Sequence, residues 1–92
     1  MIVHGANRIK LLGPLTAKEV SGLFAEGAPS FEGGECIVDF AGVESIDSTA
    51  LGLLLSWLRA AQRAQAKLTL TNVPSNLRSL ASTYGVATAL SL

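Results

Sequence analysis

The run CIVDFAGVESIDSTALGLLLSWL, residues 36–58, decides the fold. Its first part, CIVDFAG (36–42), is a short apolar run bounded by turn residues and rich in β-branched and aromatic side chains, which predicts a strand. Apolar residues on both of its sides predict an inner strand with a parallel neighbour. VESI (43–46) reads as a link. Asp47, Ser48 and Thr49 then head the most apolar segment of the chain. From Ser48 to about Gln65 there is no proline and good helix formers dominate, so a helix is predicted. Asp47 or Ser48 caps it, because an oxygen there accepts from the free N–H groups of the first turn.

At about 100° per residue, Leu51, Leu54, Leu55, Leu58 and Ala61 share one face of this helix, the predicted core seam. Ala50 and Trp57 fall at its margin. The opposite face carries Thr49, Gly52, Leu53, Ser56, Ala60 and Arg63, with Ser48 on the flank. Small side chains admit a second backbone, and an exposed leucine offers something to bury. The face is either a docking surface or a solvated surface with one stray leucine. A phosphate on Ser48 or Thr49 would sit at the positive end of the helix dipole. It would leave the helix folded and add roughly two negative charges to a partner surface.

Working outward, NRIKLLG (7–13) reads as a strand closed by a turn at Gly13-Pro14. Thr16 and Glu19 form a capping-box pattern, followed by Val20, Leu23 and Phe24 at helical spacing, so a helix is predicted from Thr16 to Glu26. SFEGGE (30–35) is a loop. KLTLTNV (67–73) alternates as a strand does. A last helix starts near Ser75, carries Leu77, Leu80, Ala81 and Tyr84 on one side and stops at Gly85. VATALSL is a short strand or helix, and MIVHG adds an edge strand. Strands alternating with helices imply crossovers and a largely parallel sheet. The expected architecture is an α/β fold with about four strands in a mixed, mostly parallel sheet against three to four helices, and residues 1–92 form one domain.

The chain has 49% apolar and 15% charged residues, against about 25% charged in typical domains. So little charge suits either a domain that hides surface against a partner or simply an Ala- and Leu-rich composition. Zero formal net charge argues against nucleic acid, which requires a basic face. ALGLLLSWL is far shorter than the ~20 residues of a membrane span, and MIVHGANRIK does not resemble a signal peptide. The lone Cys36 lies in a strand and reads as a small core residue. A cytoplasmic location is expected, without direct membrane insertion. No catalytic residue, metal or cofactor is expected either. His4, the one histidine, is near the terminus, Asp39 either faces outward or hydrogen-bonds near the helix start, and there is no Gly-x-Ser-x-Gly elbow, P-loop or Cys/His cluster.

In order, spacing and length, residues 8–90 resemble a STAS domain. The family opens a helix with D-[ST]-x-x-L-x-x-L after an apolar strand, matched here by Asp47, Ser48, Leu51 and Leu54. Two branches of the family are similar to this chain. In anti-sigma-factor antagonists a serine kinase phosphorylates a hydroxyl of a D-S-[ST]-G-L-G motif. This chain reads D-S-T-A-L-G, with Ala50 where that branch favours glycine. The other branch is the small STAS subunit of the Mla phospholipid ABC transporter, similar in size, in LLGPLTAKEV and in VPSNLRSLASTYGV. There the Asp-hydroxyl helix start docks on the cytoplasmic ATPase, within a complex that includes a membrane permease. The resemblance to this second branch implies a non-enzymatic subunit peripheral to the inner membrane, serving outer-membrane lipid asymmetry. It implies a partner contact at Asp47, Ser48, Thr49, Gly52, Leu53 and Ser56.

Overall fold

The computed structural model describes residues 2–92. A strand β1 (Ile2–His4) precedes β2 (Arg8–Leu15) and α1 (Ala17–Glu26). A single 3₁₀ turn (Glu32–Gly34) leads into β3 (Glu35–Ile46), α2 (Thr49–Arg63), β4 (Lys67–Thr71) and α3 (Ser75–Thr83). The sheet order is β1-β2-β3-β4, with β1 antiparallel to β2 and the other neighbours parallel. This is the mixed, mostly parallel sheet expected from the alternation of elements. The edge strand expected in MIVHG is present at Ile2–His4, while Met1 lies outside the described residues.

Two successive crossovers that step the same way along a sheet put their helices on the same face. Accordingly, Ile9 and Leu11 of β2 and Cys36, Val38 and Phe40 of β3 point into one core with Val20 and Leu23 of α1 and Leu77 and Ala81 of α3. The alternate residues Arg8 and Lys10 are exposed on the other face of the sheet. Burial of Cys36 holds its thiol pKa above the ordinary value, as expected of a core residue.

Three boundaries differ from the sequence reading. VESI is no link but the end of β3, and Gly13-Pro14 does not close β2. Pairing continues through Gly13↔Val43, Pro14↔Ser45 and Leu15↔Ile46. Two register shifts, between Lys10 and Leu12 and between Gly13 and Pro14, absorb the irregular residues as bulges. Proline is tolerated there because the β1 pairing on the other side of β2 has ended at Leu11. Gly42 sits at the first shift, where a Cβ would lie 3.1 Å from the Leu11 carbonyl oxygen. At the far end α3 starts at Ser75 as read, with Pro74 before it as the N-cap, but the tail forms turns instead of a strand or helix.

Helix α2 lies along the middle of the layer, against α1, α3 and β4. Its buried residues are Ala50, Leu51, Leu53, Leu54, Trp57 and Ala61. The seam is therefore turned by about 60° from the one read off the leucines. Ala50 and Trp57 are at its centre, and Leu55 and Leu58 are only partly buried at its flank. Leu53, expected on the outer face, is fully buried. The reason is size: an indole fills a core better than a leucine and pulls the seam toward its own side. Phe24 and Tyr84 correct the reading in the opposite sense. Both lie on predicted apolar faces, yet they are 48% and 60% exposed.

Candidate functional site

In a sheet of this topology each helix after a parallel strand starts at the strand's carboxyl end, so the starts of α1 and α2 are neighbours. Asp47 joins them. Its N–H donates to the Leu15 carbonyl at 3.4 Å, fixing it beside the end of β2. One carboxylate oxygen, Oδ1, accepts from the Thr49 N–H at 3.0 Å and from the Thr49 hydroxyl. The other, Oδ2, accepts from the Ala17 N–H at 3.1 Å, the first residue of α1. Asp47 thus caps one helix and tethers a second. The Thr49 hydroxyl first, then the two backbone N–H donors, hold its pKa below the ordinary carboxylate value. No side-chain signal in the sequence marks Ala17 as the other end of this bond, because only its backbone takes part.

The start of α1 is held separately. The Thr16 N–H and hydroxyl both donate to Glu19 Oε1, at 3.1 and 2.6 Å, which also lowers the Glu19 pKa. The capping box read from the sequence is present.

With Asp47 acting as the cap, Ser48 is left without a capping bond, and its side chain is exposed. Thr49 is exposed too, but its hydroxyl is committed to Asp47. One turn on, Gly52 is exposed, and a Cβ built there would meet nothing within 4 Å. Ser56 is half-buried. The structure therefore brings Ser48, Thr49, Gly52 and Ser56 to one outward strip beside Asp47, and leaves Leu53 out of it.

Asp39 is the residue whose role the sequence left open. Its Oδ1 accepts from the Ala41 N–H at 2.9 Å and from Asn72 Nδ2 at 3.0 Å, and Arg8 lies 4.0 Å from its other oxygen. It pins the bulge of β3 to the exit of β4, and the Asn72 bond above all lowers its pKa.

Two cavities flank α1. A groove of about 180 Å³ runs between α1 and the end of β2, with Glu19 and Glu26 at its rim, and a smaller one of about 90 Å³ holds His4, Pro29 and Trp57. None of Asp47, Ser48, Thr49, Gly52 or Ser56 lines either. His4 is on β1, two strands away from β3 in the sheet, so it does not meet Ser48. Among the described residues, no group of three or more His, Cys, Asp or Glu side chains could hold a metal ion, and no helix is long and apolar enough to cross a membrane.

The family profile described as "Mlab, STAS domain" matches residues 3–92. The chain belongs to this STAS family. Among solved structures, the unphosphorylated form of the anti-sigma factor antagonist SpoIIAA superimposes with a TM-score of 0.73. At 20% identity, that match covers 96% of this chain and 82% of SpoIIAA, and it shows a shared STAS fold. No curated protein matches. Within the STAS fold, the site built above is the helix start that follows the central strand.

Proposed function

We propose that this STAS domain is a non-enzymatic subunit that docks, through the start of α2, on the ATPase of an ABC transporter for phospholipid trafficking. In this reading the 92 residues are one domain. It works in the cytoplasm, held at the inner membrane through the ATPase and its permease, and supports their assembly and activity. By binding one conformation of the ATPase it raises the population of that conformation.

Gly52 carries the docking part of the reading, which both branches share. Glycine inside a helix is about 1 kcal/mol less favourable than alanine. Nothing within the molecule requires it here, since a Cβ would enter open space. What a glycine on an outward face allows is close approach of another backbone. Gly22 on α1 is equally open, so it is the position of Gly52, one turn from the exposed Ser48, that ties it to this site. The family profile supports the transporter branch in particular.

The test is co-purification with the ABC ATPase and permease of the same organism, using a tag on the ATPase, with ATP hydrolysis measured alongside. The chain is expected in the complex, and its omission, or Ser48→Arg, lowers assembly or hydrolysis. Equal assembly and hydrolysis without it would overturn the proposal.

The exposed Ser48 hydroxyl also fits a phospho-regulated antagonist of an anti-sigma factor. In that reading Ser48 is the acceptor, because a phosphate on Thr49 would break its bond to Asp47 and set like charges together. Phosphate on Ser48, found by mass spectrometry together with a captured serine kinase, would favour it. It ranks second because Ala50 is buried where that branch favours glycine.

A further inference from the structure

The zero net charge conceals a division. All seven acids stand at or before Asp47, with three bases among them, so residues 1–47 carry −4. From Ser48 to Leu92 there is no acid and there are four bases, Arg59, Arg63, Lys67 and Arg78, so this half carries +4. Arg78 Nη1 donates to the Leu92 carbonyl at 3.5 Å. Lys67, at the exposed start of β4, is level with Glu35 in register but makes no ion pair among the described residues. Arg59 and Arg63 stand on the outward side of α2. Both are exposed, and among the described residues neither guanidinium has a hydrogen bond or an ion pair.

They stand four residues apart on α2, where like charges repel. The helix dipole favours Arg63 in the last turn but gives Arg59, a turn earlier, less. On the helical wheel both continue the outward strip of Ser48 and Gly52, and Arg59 is about 10 Å along the axis from Gly52. A partner lying on the start of α2 and following its axis would meet them.

We infer that the docking surface runs the length of α2 and ends on an acidic patch of the partner, with carboxylates placed to take Arg59 and Arg63 as forked hydrogen-bonded pairs. This rests on the ATPase reading above. A protein partner is favoured over an anionic lipid surface because, among the described residues, this strip carries only two cations, Arg59 and Arg63, and is built of small residues rather than apolar anchors.

The experiment measures binding of the purified chain to that ATPase against salt concentration, for wild type, Arg59→Glu/Arg63→Glu and a control, Lys10→Glu, on the opposite face of the sheet. The double variant is expected to weaken binding about tenfold or more at low salt, chiefly through slower association, with a shallower salt dependence. Lys10→Glu changes binding far less, and reversing the matching acids of the ATPase restores the double variant. No binding by wild type would overturn the ATPase reading and this inference with it. Binding that the double variant leaves unchanged would overturn this inference alone. It would equally fail if the variant instead abolished sedimentation with phosphatidylglycerol vesicles, or self-association in ultracentrifugation, with ATPase binding intact.

Discussion

The two faces of α2 follow opposite rules. Inward, Ala50, Leu53, Leu54, Trp57 and Ala61 are all at most 2% exposed and leave no room for change. Outward, Ser48, Gly52, Arg59 and Arg63 touch little and tolerate change as far as folding is concerned. Stability is concentrated on one side of the helix, and the proposed recognition on the other. Asp47 sits at the head of both, since its carboxylate starts the helix that presents the strip. Substitutions on the two faces should therefore separate cleanly, and each prediction below probes that separation.

The largest effect belongs to Leu53. Leu53→Ala is expected to cost about 2–5 kcal/mol, through lost transfer energy and the cavity left behind. Denaturant unfolding would read this as a lower midpoint at nearly unchanged slope. A loss below about 1 kcal/mol would mean that Leu53 faces outward after all, and the two-faced description of α2 would fall.

That residue also shows where the sequence stopped being legible. The element order, the parallel core of the sheet and the capping box at Thr16 follow from local chemistry, and each was readable. Asp47 was readable as a cap for the same reason. The rotation of α2 was not. Its leucines at 51, 53, 54, 55 and 58 spread over more than half the wheel, and choosing the buried arc needs the shape of what packs against it, which is tertiary information. The length of β3 was hidden similarly. VESI has no strand pattern by itself and is extended because β2 continues beside it through two bulges. The polar contacts of Asp39 were hidden because Asn72 is 33 residues away.

Asp47 comes next. Asp47→Ala removes the cap of α2 and the tether to α1 together, and is expected to lower Tm by about 5–10 °C. The same bonds predict a pH dependence. They hold the folded pKa below the ordinary 3.8, so their contribution is present above that value and is lost as pH falls through the lower folded one. Glu19 and Asp39 act in the same direction. Asp47→Asn cannot titrate, so its Tm should fall less between pH 5 and pH 2 than that of the wild type. Parallel curves for the two would show that Asp47 contributes nothing to the acid limb.

Gly52→Ala is the smallest change and separates the faces most sharply. Replacing a helical glycine by alanine lowers the entropy of the unfolded chain, and the new methyl meets no atom within 4 Å. The variant should be more stable than wild type by about 0.5–1 kcal/mol. On a surface where another backbone lies close, the same methyl is an obstruction, so binding to the ATPase should weaken while stability rises. Any account in which the strip is merely solvated makes the two measurements independent, with stability raised and binding unaltered. A stabilised Gly52→Ala that binds as well as wild type would therefore leave the inward face as described and remove the outward face from the proposed interface.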